Sequence, residues 1–545
     1  MHLLDLPPEL LLECVAYLSV RDVLACFRGN RQLHAVLASS AALRYRLLQA
    51  QLAVVENPHH PALPGLVAAE RLALLEAREE RWMALKPLSR HTLGLEFENA
   101  GIYDVTGDYF LVGDVPDAQA GSMCRAIKYV ATAPADDGEL PEWRRIWVGK
   151  PIVDFGMAVE ELDLIAVVTS TPAAHPLKQT IAVQLLSFST GQPHPHAAQP
   201  EITLNTVLRE HGRPGASVEI VGRTLAVSFL YWSQQSRDAD LLYILDWHTG
   251  APITPPQQVY NTGVVFLTPT MLLVPNALET ALDVVCLPQD GAPSRDPVIH
   301  SFRLPALQDG HGIYAFQCRG EPNPRTAFFP YPSGADKPGS RARPRGAFLP
   351  APEDNLILIT FTTGSEARNS TRDHLLVLPR ARFVAGIAPL LALSAAAPVV
   401  VPLDVPWAQW GPRHTRWLDA RPLAKHYITT TCGMRLVAIR LDARRTPAPA
   451  RVLSFARATV DAYARQLPEG GRVTATLVPA DDPQRPPEFA SLAVFAEAVH
   501  SALPYVEVQT AETFAYDTLI VNNESLVGVT FGADSVAALE VMYFG

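Results

Sequence analysis

The sequence has few lysines, and it has no cluster of them. Its 545 residues contain six lysines and carry a formal net charge of −10. Surfaces that bind nucleic acid or anionic lipid usually present clustered basic side chains. We therefore expect neither nucleic acid nor a membrane among the partners of this chain.

Long apolar runs and paired cysteines are missing as well. No apolar stretch reaches the 18 residues of a membrane-spanning helix. Asp5, Glu9 and Glu13 stand in or before the first apolar run, where a secretory signal needs basic residues. The six cysteines lie far apart without CxxC pairs, as is typical of free thiols in a reducing compartment. These features predict an intracellular protein of the cytoplasm, the nucleus or both.

The chain also lacks the short motifs of common catalytic sites. It contains no phosphate-binding GxxxxGK[ST], dinucleotide GxGxxG, HExxH, GxSxG or EF-hand pattern. The pairs His59-His60 and His194-Pro-His196 have no cysteine or second histidine pair nearby, so surface loops are a better interpretation than metal ligands. We expect no enzyme activity, no cofactor and no metal.

The N-terminal part carries a helical pattern. Leu10, Cys14, Val15 and Leu18 recur at helical spacing, and similar spacing continues to about residue 50. We predict a four-helix domain over 1–50 and a helical linker over 51–90. A unit this small needs fewer apolar residues for its own core, so the excess predicts a face for a partner protein. The alternative is that these helices cap the following domain.

Residues 91–545 have the pattern of β-strands, short apolar runs bounded by Gly, Pro, Asn and Asp. The segments 186–193 (LSFSTGQP) and 245–252 (LDWHTGAP) align without gaps, and each predicts a hairpin with Gly191 or Gly250 at positive φ. A hairpin repeated once per blade is typical of β-propellers. Two unrelated hairpins remain the alternative. The predicted fold class is therefore α+β multidomain: a small α-helical N-terminus followed by a mostly-β, β-propeller-like domain, with the blade number left open.

The N-terminal pattern resembles a known motif. The stretch from Leu6-Pro7-Pro8-Glu9-Leu10 to Leu18, followed by Arg21-Asp22-Val23-Leu24 and Arg31-Gln32-Leu33, is similar to the F-box. Later stretches, among them LLSFSTGQPHP and LDWHTG, resemble the β-rich C-terminal part of F-box proteins from mushroom-forming (basidiomycete) fungi.

The resemblance implies a function and a set of contact residues. It implies that the helices bind a Skp-type adaptor and, through it, the cullin of an SCF-type ubiquitin ligase, while the β-domain binds an unknown protein substrate. The implied adaptor-binding residues are Leu6, Pro7, Leu10, Leu11, Cys14, Val15, Leu18, Val23, Leu24 and Leu33. Alternatives are a scaffold or tether that acts outside a ligase, and a propeller enzyme with an active site in its central channel.

Two segments of the β-region are candidates for substrate recognition. Trp407, Trp410, Arg413 and Arg416 belong to a segment rich in the residue types that dominate protein–protein hot spots. The alternative is that the tryptophans of this segment seal the core of a blade. Residues 333–346 form a basic Gly/Pro-rich loop that suits an acidic substrate tail, with a solvated insertion as the alternative.

Overall fold

The computed structural model describes most of the chain. The described residues are 4, 6–116, 123–134, 140–231, 240–288, 296–326, 346–365, 370–395, 401–420, 429–439, 446–465, 473–481, 494–497, 499–532 and 535–545. The basic loop therefore lies outside them, except for Gly346. Within these ranges no helix is long and apolar enough to span a membrane.

The described residues contain nine α-helices. Five precede the β-region, and four lie within it. They are α1 (Pro8–Ala16), α2 (Val20–Gly29), α3 (Arg31–Ser39), α4 (Ala41–Leu52), α5 (Ala68–Met83), α6 (Val159–Leu162), α7 (Arg380–Ala395), α8 (Trp407–His414) and α9 (Arg457–Arg465).

The first four helices form a unit with a core of its own. Their inward-facing residues make one small cluster of Val15, Val23, Leu33, Leu37, Leu43 and Leu47. Three of the helices have a side-chain N-cap. Ser19 accepts a hydrogen bond from the Asp22 amide, Asn30 accepts from the Gln32 and Leu33 amides, and Ser40 accepts from the Leu43 amide. Asn30 both ends α2 and begins α3.

Seven mainly antiparallel sheets of four or five strands follow in the described part of the chain, after the short strands β1 (Val54–Glu56) and β2 (Ser89–Gly94). The first three sheets have these members. Sheet 1 contains β3 (Asn99–Thr106), β4 (Tyr109–Asp114), β5 (Ala126–Ala131) and β6 (Arg144–Trp147). Sheet 2 contains β7 (Ile152–Ala158), β8 (Leu164–Pro172), β9 (Lys178–Ser187) and β10 (Glu201–Leu208). Sheet 3 contains β11 (Gly215–Val221), β12 (Thr224–Leu230), β13 (Leu241–Asp246), β14 (Ala251–Pro252) and β15 (Gln257–Gln258).

The other four sheets continue in chain order. Sheet 4 contains β16 (Val265–Thr268), β17 (Met271–Asn276), β18 (Ala281–Cys286), β19 (Val298–Arg303) and, parallel to β19, β24 (Asp404–Val405). Sheet 5 contains β20 (Gly312–Arg319), β22 (Leu356–Ser365), β23 (Ser370–Pro379) and β25 (Arg416–Asp419), while β21 (Phe348–Pro350) pairs with β1. Sheet 6 contains β26 (Thr431–Cys432), β27 (Arg435–Ile439), β28 (Ala448–Ser454), β30 (Tyr505–Phe514) and β29 (Val473–Val478). Sheet 7 contains β31 (Thr518–Val521), β32 (Ser525–Phe531), β33 (Val536–Tyr543) and β2.

Each sheet shares a hydrophobic core with the next one along the chain. Separate buried clusters join sheets 1 and 2, 2 and 3, 3 and 4, 4 and 5, 5 and 6, and 6 and 7. A further cluster joins sheet 7 to sheet 1, with Val527 and Val541 packed together with Val105 and Val112. The strands are apolar on both faces because each sheet is buried on both sides. The predicted class, a helical N-terminus followed by a mostly-β region, is confirmed.

The repeated hairpin occupies the same place in sheets 2 and 3. Gly191 and Gly250 have φ of 69° and 77°, and each follows the third strand of its sheet. Phe188 and Trp247 at the shared aromatic position are fully buried. The hairpin prediction is confirmed, and the aromatic ring anchors each turn to the interior.

Residues 51–90 are packed against the β-region. Strand β1 pairs with β21, and helix α5 buries Trp82 in the core between sheets 6 and 7. The Trp82 ring stacks on Phe544 at 4.2 Å between centroids, and the Arg435 guanidinium lies 4.7 Å above it. This segment was predicted to be a helical linker, and its helix α5 also packs against the β-region through Leu75 and Trp82.

A buried ionic network strengthens this contact. Arg78 donates to the backbone and side-chain oxygens of Asn523 at 2.8 and 2.9 Å, and Arg78 and Arg435 both pair with Glu79. Although burial raises the pKa of Glu79, the guanidinium groups of Arg435 and Arg78 hold it below its ordinary value. Arg78 and Glu79 of α5 are therefore paired with each other and with groups from sheets 6 and 7.

We expect Trp82→Ala to lower the free energy of unfolding of the whole chain by about 3–5 kcal/mol, because it leaves a cavity between two sheets. Trp147→Ala, at a position 56% exposed, is the matched control and should change little. Urea unfolding followed by circular dichroism of the β-region tests this. An unchanged midpoint for Trp82→Ala would mean that α5 is only tethered to the sheets.

Candidate functional site

One face of α1 carries apolar side chains that no described residue covers. Pro7, Leu10, Cys14 and Tyr17 recur at steps of three or four residues and are all exposed, Leu10 by 52% and Tyr17 by 83%. This spacing places them in one line along the helix. We call these four residues the α1 stripe.

The predicted adaptor-binding residues divide between this stripe and the interior. Pro7, Leu10 and Cys14 are exposed, and Leu6, Leu18 and Leu24 are half-buried. The other four are buried within the helical unit, namely Leu11, Val15, Val23 and Leu33. The helical spacing identified the apolar positions but did not separate the inward face from the outward one. Tyr17 was missed, although its spacing of three residues from Cys14 was a signal available in the sequence.

The tryptophans proposed for substrate recognition are interior residues. Trp407 and Trp410 lie in the core between sheets 4 and 5, where Trp410 Nε1 donates to the Arg303 carbonyl at 2.9 Å. Neither ring has a surface for a partner, so that assignment is corrected in favour of the alternative, sealing the core.

The two arginines of the same segment lie in different surroundings. Arg416 donates to the Pro479 carbonyl at 2.9 Å, pairs with Asp481 at 3.3 Å and lies over the Tyr505 ring. Arg413 is exposed. Of the four candidate residues, Arg413 is therefore the one exposed to a partner, because Arg416 is held by internal contacts.

A cavity of about 470 Å³ lies between sheets 5 and 6. Its apolar floor belongs to the core of these two sheets and includes Leu358, Leu375 and Leu436. Its polar wall consists of Gln317, Arg319, Glu321, Thr360, Thr362 and Asp373, together with Thr429, Thr430 and Thr431. We call this cavity the sheet 5–6 cleft.

Strand register explains why the wall is polar. Gln317 pairs with Thr360, and Thr362 with Asp373, so these side chains share the face of sheet 5 that carries Leu358 and Leu375. Thr360 is exposed although it lies in the middle of a central strand. One face of the sheet thus changes from apolar to polar along its length, and the polar end is open.

Acidic side chains from several sheets surround Arg319, which lines this cleft. Asp104, Asp154 and Glu219 come from the first strands of sheets 1, 2 and 3, and Arg319 ends the first strand of sheet 5. Arg319 Nη1 lies 3.6 Å from Glu219 Oε1, and Asn323 donates to Glu219 Oε2 at 2.6 Å. Burial raises the pKa of Glu219 to about 7 and that of Asp154 to about 6, and it raises the pKa values of Asp104 and Glu321 too.

None of these cleft residues was identified from the sequence. The signal that was available is a single acidic residue inside an apolar strand, as in Val153-Asp154-Phe155 and Val218-Glu219-Ile220. Each of these residues alone looks like an ordinary solvent-facing residue of an edge strand. Only the arrangement of the sheets brings the carboxylates together around Arg319.

Of the histidines considered as metal ligands, His194 has a structural role. His194 is buried, its Nε2 lies 2.9 Å from the Leu162 carbonyl, and its ring meets that of Trp247 edge to face. His59 and His60 are half-buried in the loop before α5. Among the described residues, no group of three His, Cys, Asp or Glu side chains is placed to hold a metal ion.

No family model and no curated protein matches the sequence. Three solved structures are similar at low sequence identity. The WD40 domain of SCAP from fission yeast is 7% identical, covering 82% of each chain with a TM-score of 0.32. Extracellular domains 1–2 of Drosophila Semaphorin 1b are 10% identical, covering 84% of this chain and 87% of that one with a TM-score of 0.31. A functionally unknown protein from Desulfotomaculum acetoxidans is 10% identical, covering 66% and 84% with a TM-score of 0.29. Scores at this level transfer neither fold nor function to this chain.

Glu219 should give the protein a measurable pH dependence. Its pKa is higher in the folded state than in the unfolded chain, so the folded state holds the proton as the pH rises from about 4.5 to about 7. Stability from this group is present below the unfolded pKa and is lost as the pH rises through the folded one. As the pH is raised from 5 to 8, the free energy of unfolding should therefore fall less for Glu219→Gln than for the wild type. We expect a difference on the order of 1–3 kcal/mol.

Urea midpoints at pH 5, 6, 7 and 8 measure this difference. Glu210→Gln is the control, because Glu210 is an exposed carboxylate in a surface turn. Parallel pH curves for the wild type and Glu219→Gln would contradict the burial of an acid with a raised pKa.

Proposed function

We propose that this chain is the substrate receptor of an SCF-type cullin-RING ubiquitin ligase, with the α1 stripe binding the Skp-type adaptor. The observation that carries the proposal is the exposed stripe on a unit whose own core is complete without it. An apolar line on one helix suits the groove of a partner protein. The F-box pattern of the sequence supports the same partner.

We further infer that the seven sheets form one closed, seven-bladed β-propeller. Two observations support this inference. Each sheet shares a core with the next, and sheet 7 shares one with sheet 1. Sheet 7 also combines strands from both ends of the β-region, since β2 pairs with β33. A propeller of this kind leaves only short, protected sheet edges.

The packing of α5 supports a receptor in which the helical unit binds the adaptor and the β-region binds the substrate. Arg44 of α4 pairs with Glu76 of α5, and Tyr45 of α4 packs near Phe348 of β21. Trp82 at the other end of α5 is held between sheets 6 and 7. Rigid packing of this kind keeps an adaptor-bound helix at a fixed distance from a substrate bound on the β-region. A receptor performs no chemistry of its own and raises the effective concentration of its substrate beside the ligase.

The double substitution Leu10→Asp with Tyr17→Asp should abolish adaptor binding without unfolding the protein. Both side chains are exposed, so the free protein tolerates the charges, whereas binding would bury two unpaired carboxylates at a cost of several kcal/mol. We expect capture of a purified Skp-type adaptor to fall ~100-fold or more. Leu18 is unsuitable for this test because it is half-buried against the helical core.

Leu278→Asp with Leu177→Asp is the matched control, since both leucines are 65% exposed and lie far along the chain from α1. Unchanged adaptor capture by the α1 double variant would overturn the F-box proposal. Capture of the adaptor without cullin in a pull-down with both proteins would instead support the tether.

A further inference from the structure

Helix α7 exposes an apolar face. A helix on a protein surface normally carries charged or polar side chains on its solvent side. In α7, Leu393 is 72% exposed, and Val401, which follows the helix, is 56% exposed. The Val401 carbonyl accepts a hydrogen bond from Ser394 Oγ at 2.6 Å, so Val401 lies beside the end of α7. We call the exposed residues of this helix after Arg382 the α7 face, and they are Ala385, Ala388, Pro389, Ala392, Leu393 and Ala395.

The opposite side of α7 is buried in the core between sheets 4 and 5. Phe383 and Ile387 belong to that core. The Phe383 ring meets the rings of Phe302 and Trp410 edge to face, with centroids 5.5 and 5.4 Å apart. The helix therefore has a fixed orientation, and its solvent side contributes nothing to the core. An exposed apolar face on such a helix is suited to docking a partner.

Basic side chains surround the first turns of α7. Arg382 lies in the first turn, and the His414 ring at the end of α8 packs so closely on Gly386 that a side chain there would collide with it. Burial lowers the pKa of Arg382, and the positive charge of Arg457 lowers it too. Burial also lowers the pKa of His414, and Arg382 and Arg413 add to this effect. Arginines of α7, α8 and α9 are thus neighbours, and we call Arg382, Arg413 and Arg457 the arginine cluster.

The protein does not neutralise the arginine cluster by itself. Within the described part of the chain, Arg382 and Arg413 form no ion pair and donate no hydrogen bond. Arg457 pairs with Asp461 at 3.5 Å, and both of these side chains are about half exposed. The positive end of the α7 dipole adds to the same potential. Since the whole chain carries a net charge of −10, this local positive potential beside an apolar face favours a negatively charged partner.

The small side chains of the α7 face suit a helix of another polypeptide. Four of its six residues are alanines, which let a second helix approach closely. A lipid surface is met by a row of large apolar side chains, and Leu393 is the single one on this face. In a symmetric dimer, the α7 face of a second copy would supply no carboxylate to the arginines. An acidic helix matches both the apolar face and the charge.

The arginine cluster also lies beside the helical unit. Ala456 and Ala458, at the start of α9, pack in one apolar cluster with Tyr45 of α4. A polypeptide bound at the α7 face and at Arg457 is therefore close to the helices that carry the α1 stripe. This is where a receptor has to hold its substrate, because the ligase is recruited through those helices.

We propose that the α7 face and the arginine cluster bind an acidic amphipathic helix of a polypeptide substrate, with its apolar side on Leu393 and the alanines and its carboxylates at the arginines. This names the substrate class of the receptor proposed above and rests on that function. Binding at α7 is measurable without the adaptor, so failure of this proposal is distinguishable from failure of adaptor binding at the α1 stripe.

The probes are fluorescein-labelled peptides, titrated with the full-length protein and followed by fluorescence anisotropy. The acidic peptide consists of two copies of Leu-Glu-Ala-Leu-Glu-Glu-Ala, which places leucines on one side of a helix and glutamates around the rest. A basic peptide has lysine, and a neutral one glutamine, at each glutamate position. The acidic peptide should bind, and the other two should bind at least ~10-fold more weakly, because they bring no negative charge to the arginines.

Two variants locate the binding. Arg382→Glu reverses one charge of the arginine cluster, and Leu393→Asp puts a carboxylate on the apolar face. Both side chains are exposed, so the free protein tolerates either change. Each variant should weaken binding of the acidic peptide at least ~10-fold, because a new carboxylate meets bound glutamates or is buried under leucines. Thermal unfolding curves show whether each variant is folded.

The matched controls are Arg209→Glu and Leu177→Asp. These two exposed residues are neighbours in sheet 2, where the Arg209 amide donates to the Leu177 carbonyl at 2.8 Å. They offer an arginine beside a leucine as α7 does, but no apolar helix face. Both controls should bind the acidic peptide like the wild type.

Binding of the acidic peptide that is lost in Arg382→Glu and Leu393→Asp and kept in both controls would support the proposal. No binding of the acidic peptide would overturn it, as would equal binding of the acidic and basic peptides or unchanged binding by both α7 variants.

Three further outcomes would assign the surface to another occupant and would overturn the proposal as well. The first is flotation with vesicles of phosphatidylserine and phosphatidylcholine that Leu393→Asp abolishes, which indicates lipid. The second is a dimer in sedimentation that Leu393→Asp dissociates, which indicates a second copy of the chain. The third is lost capture of a purified Skp-type adaptor by Arg382→Glu, which would place the arginine cluster in the adaptor interface.

Discussion

Strand β2 pairs with β33 over six residues, from Ser89 opposite Tyr543 to Gly94 opposite Ala538, and this ladder joins the N-terminal helices to the last sheet. The chain enters β2 directly from α5, whose Trp82 stacks on Phe544 just after β33. The same ladder completes sheet 7, which packs on sheet 1. The closed ring that we propose and the fixed position of the helices therefore depend on one set of backbone hydrogen bonds.

The cleft follows from the same arrangement. If the sheets are set around a common centre, their first strands bring Asp104, Asp154, Glu219 and Arg319 together although these residues are far apart in the sequence. Burial raises the pKa values of these carboxyl groups, although the Arg319 guanidinium lowers them in part. The receptor we propose thus carries the apolar α1 stripe on its helical unit and the sheet 5–6 cleft on its β-region. Helix α5 connects these two parts of the chain.

Patterns of residues predicted the helices and the mostly-β region correctly, because each of these depends on local spacing. Gly191 and Gly250 marked real hairpins for the same reason, since positive φ at a turn is a local requirement. Which apolar residue points outward was not predictable, because Leu10 and Leu11 differ only in the side of the helix that they occupy. Trp410 and Glu219 were misjudged or missed because their surroundings come from distant parts of the chain.

Hydrogen exchange of the full-length protein, followed by mass spectrometry of its peptides, tests the central claim most directly. If β2 closes a ring and α5 is part of the same cooperative unit, peptides covering 68–94 and 536–543 should be as protected as those from the central strands of sheets 2 and 3, and should lose protection with them in urea. Rapid exchange over 68–94, while 518–543 stays protected, would contradict it, because the helices would then be attached to an open set of sheets.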